Sequence, residues 1–353
     1  MRTTTVAGRT WHYSHYLGRQ TAEHNESKFG RTGGYIFPMD VAFGGDDLLF
    51  AVSRGLGYGY AGYIGDIGCR IGKTTIGEDH LGDFARAGFT WPAGLAVSSD
   101  GNVYCSDEHD CRISVFDPEA TFPFPEGKPR EEAVSTWGVK GVGPGQLNGP
   151  SGLAFDARDN LYVVDSRSNR VQLFTKDGQY LDTWGRSGAG DGDLARPWGV
   201  TVDAHGDVYV ADWGNDRVQK FTHDGRYLMS FGGAESGAGS LSHPAGVAVD
   251  SEGDVYVTDW GNNRVQIYEP DGEVLVALYG DVFELSRAGH YQLNRDPESI
   301  KVLARSDDIM PLFEAFIRPA GIAIDAQDRI VVTDARGRLL VYLKDNEYVE
   351  PPT

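Results

Sequence analysis

Cysteine is scarce: Cys69, Cys105 and Cys111 are the only three in 353 residues, an odd number that does not read as a disulfide framework. Long apolar runs are also missing. No stretch approaches the roughly 18 consecutive apolar residues of a membrane-spanning helix, and the first 18 residues contain no apolar core of a secretion signal. Neither membrane spanning nor secretion is expected, and cytoplasmic residence is. Clustered positive charge is the third absence. Lys and Arg number 32 against 51 Asp and Glu, a formal charge of −19, and the basic residues are scattered along the chain. Such a surface repels phosphate backbones, so no nucleic-acid partner is expected, while a cationic ligand or metal ion would be favoured near an acidic mouth.

Glycine is abundant at 47 residues and spread over the whole length, which points to many turns and short strands. Three stretches align without gaps, starting Gly149-Pro150-Ser151-Gly152-Leu153, Arg196-Pro197-Trp198-Gly199-Val200 and His243-Pro244-Ala245-Gly246-Val247, with their prolines 47 residues apart. Each continues through an aspartate (Asp156, Asp203, Asp250) to a strand ending in Asp165, Asp212 or Asp259, and an arginine follows five residues later. Diverged copies start at Trp91-Pro92-Ala93-Gly94, Arg318-Pro319-Ala320-Gly321 and Phe37-Pro38-Met39-Asp40, which makes six units. A period of this size signals a propeller or a solenoid.

The fourth unit decides between them. Val200-Thr201-Val202, 207–211, 217–221 and 227–231 are short apolar or alternating runs separated by Asp-Gly-type turns, and helical periodicity is absent. Four antiparallel strands repeated six times describe an all-β, six-bladed β-propeller, a closed ring that protects its strand edges. A single domain, 1–353, is expected, with blades at about 37–78, 91–141, 149–185, 196–233, 243–280 and 318–350. The sixth unit lacks a good fourth strand, and residues 10–18 read as the missing one, so the N-terminal strand is predicted to close the ring.

Two insertions interrupt the period. The first is a Pro-rich excursion at 122–129. The second, 281–317, lies between blades five and six and reads as two short helices, 297–305 and 308–316, placed as a lid over the mouth or as filler or a partner surface.

Pro-x-Gly-(Val/Leu/Ile)-Ala-(Val/Phe/Ile)-Asp, then Val-Tyr-Val-x-Asp, then Asn-x-Arg-Val-Gln resembles the NHL repeat, most specifically in units three to five. That resemblance implies the six-bladed ring. It includes scaffolding and RNA-binding modules and the peptidyl-hydroxyglycine amidating lyases, and related six-bladed rings include gluconolactonase-type propellers. In the amidating lyases a zinc-binding histidine occupies the x position of Pro-x-Gly. Here those positions read Met39, Ala93, Ser151, Trp198, Ala245 and Ala320. Gluconolactonase-type rings hold calcium with a Glu, Asn and Asp set, for which Asp40 alone stands in an analogous place.

Within a repeat, residues shared by most units serve blade geometry, and departures are candidates for function. The aspartates at 107, 165, 212, 259 and 334 are expected to accept backbone hydrogen bonds between loops, and the arginines at 112, 170, 217, 264 and 338 to pair with acids of the next blade. The departures gather at one end of the ring. Asp40 replaces a glycine, and Ser53-Arg54 stands where other units have Asp-x. A Gly/Tyr-rich loop with Tyr58 follows, and Glu108-His109-Asp110-Cys111 replaces Trp-Gly-Asn-Asp. Asp40, Arg54 and His109 are the candidate catalytic residues, and Trp198, Trp213, Arg167, Arg336 and Tyr58 the candidate substrate contacts. Asp40, His109 and His243 offer oxygen and nitrogen ligands for a divalent metal, zinc or calcium. Two readings remain open: a lyase or hydrolase acting on a small polar molecule at the channel mouth, or a non-catalytic scaffold for a protein partner.

Overall fold

The computed structural model describes residues 3–18, 35–45, 47–55, 69–85, 88–119, 133–233, 237, 239–280, 282, 286 and 315–345. Blade four shows why each unit folds as it does. Its strands are Val200–Val202, Val208–Asp212, Arg217–Phe221 and Tyr227–Gly232, paired antiparallel in sequence order. In the first turn the Asp203 carboxylate accepts the N–H groups of His205 and Asp207, both at 2.9 Å. Gly206 sits at φ +86°, a conformation that side chains resist. Residues of the second strand alternate between its two faces: Val208 and Val210 are buried with Tyr162 and Val164 of blade three, and Tyr209 and Ala211 with Val247 and Val257 of blade five.

Six such sheets close into a ring, each innermost strand touching that of the next blade and blade six touching blade one. Arg9–Leu17 pairs with Arg338–Asp345, from Thr10 opposite Asp345 to Leu17 opposite Leu339, so the N-terminal strand closes blade six as its sequence suggested. Thr3–Val6 adds a fifth strand outside it. The closure is anchored in the core: the Trp11 indole N–H donates to the Tyr256 hydroxyl at 2.9 Å, and Lys344 is buried against Asp250 and Asp254. The helix expected at 297–305, and all but the last two residues of the one expected at 308–316, lie outside the described residues. The end of that insertion is described, and it is not helical. Phe316 is buried against Tyr342 in the core between blades five and six. Among the described residues the helical segments are two 3-10 turns, Ser166–Ser168 and Trp213–Asn215.

The repeated aspartates hold each blade to its predecessor. Asp107, Asp165, Asp212, Asp259 and Asp334 each accept the backbone N–H found 17 residues earlier, on Thr90, Asn148, Ala195, Ser242 and Ile317 respectively. Those donors lie on the segment arriving from the preceding blade. The repeated arginines correct the expectation. Four of them pair with the repeated aspartate of their own blade, not with an acid of the next: Arg170 with Asp165 at 2.8 Å, Arg217 with Asp212 at 3.0 Å, Arg264 with Asp259 at 2.8 Å and Arg338 with Asp334 at 2.9 Å, while Arg112 reaches Asp110 of its own blade at 3.4 Å. Their remaining donors reach carbonyls of the arriving segment, such as Gln146, Asp193 and Ser240. The geometric reason is register, since the aspartate and arginine are directly opposed partners across the second and third strands.

Glycine after Pro-x is required by the narrow axis. A Cβ on Gly152, Gly199 or Gly246 would lie 2.6, 2.4 or 2.5 Å from the carbonyl oxygen of Trp198, Ala245 or Ala320 in the next blade. These are backbone atoms and cannot swing aside. At Gly206 the added Cβ meets nothing within 4 Å, so only the left-handed φ opposes it. Gly206→Ala is therefore expected to cost about 1–2 kcal/mol, and Gly246→Ala more than about 3 kcal/mol, since ring closure has to open. Urea denaturation of the two variants checks the order, and equal losses would contradict it.

Candidate functional site

Among the described residues, one side chain crosses the end of the ring where second strands meet third strands. Arg54, from blade one, lies with its guanidinium 6.0 Å from the ring centre of Trp91 in blade two and 5.8 Å from that of Trp198 in blade four. Blades one and four stand opposite each other in a six-membered ring, so this contact spans the channel mouth. Arg54 also donates to the Pro92 carbonyl at 3.2 Å and to the Glu108 carboxylate at 3.2 Å. The other oxygen of Glu108 takes Arg167 of blade three at 2.9 Å. One carboxylate thus holds two guanidinium groups, with Glu108 mostly buried and Arg167 42% exposed.

Arg54 is available for this because blade one departs from the lock. Ser53 occupies the aspartate position and still accepts the N–H 17 residues upstream, from Ile36 at 3.4 Å. It offers no charge to the strand-three arginine, and Arg70 pairs with Asp83 instead. The next residue, Arg54, is where blades four and five carry Trp213 and Trp260.

His109 lies beside this cluster, 57% exposed, with its ring edge-on to Trp91 at 5.7 Å and Nδ1 3.0 Å from the Asp110 carboxylate. That leaves Nε2 as the atom able to take or deliver a proton. His243 is elsewhere on the rim. Its ring packs on Trp213 at 4.2 Å and faces Trp260 at 6.3 Å, and Arg318 covers Trp260 at 4.7 Å. The two histidines and Asp40 are not gathered, and among the described residues no three His, Cys, Asp or Glu side chains converge in a metal-holding group. No step is therefore assigned to a metal. Trp213 belongs to the His243 stack and not to the Arg54 cluster. Arg336 is half-buried at the blade-six lock, its backbone N–H on Asp334 at 2.7 Å and its guanidinium pKa lowered by desolvation and by Arg338. Tyr58 lies outside the described residues.

Asp40 faces the central channel, a cavity of about 360 Å³ lined by the innermost strands of all six blades. Its Oδ1 accepts the N–H of Val41 at 2.9 Å and its Oδ2 that of Leu95, in the next blade, at 2.8 Å. Protein surrounds the carboxyl on all sides except the channel, and this desolvation pushes its pKa up to about 7 against the two backbone hydrogen bonds.

Reading by residue type placed weight on His109 and missed Glu108 and Trp91 as the groups that organise the mouth. The one available signal for Glu108 was that its loop replaced Trp-Gly-Asn-Asp.

The model of the NHL repeat family matches residues 89–116, 147–174, 194–221 and 241–268. A stretch of 48 residues is 42% identical to protein lin-41 of Caenorhabditis elegans, covering 14% of this chain and 4% of that protein's length. Among solved structures, a Bacteroides thetaiotaomicron protein of unknown function superposes with a TM-score of 0.64 at 17% identity, covering 96% of this chain and 76% of the other. A catalytically inactive variant of virginiamycin B lyase from Staphylococcus aureus, solved with quinupristin, gives 0.52 at 13% identity, covering 87% and 80%. An auxiliary nutrient binding protein from Bacteroides ovatus gives 0.57 at 10%, covering 96% and 84%. At these identities the structural likenesses establish the fold alone.

The raised carboxyl has a consequence for stability. The folded state holds the Asp40 proton more tightly than the unfolded chain does. Its contribution to stability is therefore fully present below the ordinary value of 3.8 and lost as pH rises to about 7. The stability of the wild type relative to Asp40→Asn should fall across that window and level off above it. Chemical denaturation of both proteins at a series of pH values measures the difference, and a pH-independent difference contradicts the assignment.

Proposed function

We propose that this six-bladed β-propeller, four of whose units match the NHL repeat model, binds a small anionic molecule at the channel mouth and acts on it as a lyase or hydrolase. The observation that carries this reading is Arg54, which leaves the blade-one lock to cross the mouth and meet Trp198, while sharing Glu108 with Arg167. Glu108 acts as an internal counter-ion. A ligand carboxylate or phosphate that takes over one or both guanidinium groups keeps their charge-assisted hydrogen bonds and gains indole surface from Trp91 and Trp198.

Both lyase and hydrolase chemistry need a group that moves a proton next to the bound anion. His109, oriented by Asp110, has the arrangement of a general base, with one ring nitrogen fixed and the other turned outward. Asp40 sits below, at the head of the channel, as a second carboxyl that can carry a proton near neutral pH. The lyase and the nutrient-binding protein with similar folds are consistent with a ligand site on such a ring.

A scaffold role is the second reading. It is favoured by the exposed apolar residues on the outermost strands, Leu81, Leu181, Leu228 and Val274, which offer an edge to a protein partner.

Screening small carboxylates and phosphates by thermal shift tests the first reading. A hit should stabilise the wild type, and Arg54→Ala should bind it roughly 10- to 100-fold more weakly, the loss of one or two charge-assisted bonds. His109→Ala should retain binding and lose turnover. A panel in which no anion binds, or in which Arg54→Ala binds as the wild type does, overturns it.

A further inference from the structure

The wall of the channel is made of backbone. In blade three the bond from Asp156 N–H to the Asn160 carbonyl places Asp156, and by alternation Ala154, in hydrogen-bonded pairs with the second strand. Leu153 then turns both its N–H and its C=O away from the sheet and into the channel, while its side chain is buried between blades. The same register holds in every blade. The turn bonds Gly44 to Leu48, Ser98 to Asn102, Asp203 to Asp207, Asp250 to Asp254 and Asp325 to Arg329 give the same result for Val41, Leu95, Val200, Val247 and Ile322. Six N–H donors thus ring the throat at one level.

Two of those donors have a partner whose chemistry can be read directly. Val41 and Leu95, in neighbouring blades, both donate to the carboxyl of Asp40, one to each oxygen. A single carboxylate therefore spans the gap between adjacent blades at this level. Leu153, Val200, Val247 and Ile322 repeat the donor geometry without an aspartate, because glycine holds the position of Asp40 in their blades: Gly152, Gly199, Gly246 and Gly321. All four residues line the same cavity.

We propose that the throat of the channel is a binding site for a small carboxylate of formate or acetate size, seated on the N–H groups of two neighbouring blades as Asp40 is on its own. It shares Asp40 with the reading of the mouth but none of Arg54, Glu108 and Arg167, so it can fail while anion binding at the mouth stands. The site is built into the repeat, and blade one fills its share of it with a tethered carboxylate.

Removing that tether tests the assignment. Asp40→Gly gives blade one the residue the other five blades carry and vacates the seat on Val41 and Leu95. At about pH 5, where the Asp40 contribution is still largely present, and at constant ionic strength, the variant should melt on the order of 2–4 °C below the wild type. Millimolar formate should restore the loss saturably, and chloride should not. An unlowered melting temperature, no recovery with formate, or equal recovery with chloride overturns the proposal. Should Asp40→Gly not fold, the wild type decides. Titrated with the folded wild type and with Arg54→Ala, which lacks the guanidinium of the mouth, the carbon-13 line of labelled formate broadens saturably and equally if the four other donors form the site; an unbroadened line, or broadening lost in Arg54→Ala, overturns it.

Discussion

Five of the six blades are each tied to the one before by a carboxylate buried at the end of the second strand. The arriving segment brings a backbone N–H that has no sheet partner, and leaving such a group buried and unpaired costs about 1–3 kcal/mol. The aspartate accepts it, and the arginine opposite neutralises the aspartate and binds carbonyls of the same segment. Burial raises the pKa of Asp165 and Asp212, and the backbone and arginine bonds oppose that rise. Breaking a buried pair of this kind by removing one member is more costly than a surface pair, because a charge is left behind. The spacing of 17 residues is fixed by this geometry, and so is the repeat.

Blade one shows what happens when the carboxylate is absent. Ser53 keeps the backbone bond without the charge, Arg70 finds Asp83, and Arg54 is turned across the mouth. The channel end is thus organised by a departure from the lock. In a chain with a formal charge of −19, the mouth gathers Arg54 and Arg167 around one acid, with His109 beside them. The throat beneath is different in kind, a ring of backbone donors with one carboxyl, Asp40, already seated on it.

The ring was legible because its signals are local and repeated: the prolines at a constant period, the Asp-Gly turns, and a closing strand around Trp11 that the sixth unit visibly lacked. The partner of Arg170 or Arg217 was not legible. An arginine five residues after an aspartate can face its own blade or the next, and only register decides. The Arg54–Trp198 contact was beyond reach for another reason. The two residues are 144 positions apart (198 − 54); the count of six sets blades one and four opposite each other, but nothing in either motif encodes that the Arg54 side chain reaches across the axis. Asp40 was found because it broke the glycine rule. Its bonds from Val41 in its own blade and Leu95 in the next depend on which backbone edge faces the channel.

The claim that the mouth is functional because blade one departs from the repeat is open to one direct measurement. Ser53→Asp combined with Arg54→Trp restores the residues that blades four and five carry at these positions. Anion-induced thermal stabilisation of that variant, compared with the wild type, separates scaffold from site. The account predicts a melting temperature equal to or above the wild type together with loss of the anion-induced shift. A variant that keeps the shift, with its ring intact, would contradict it.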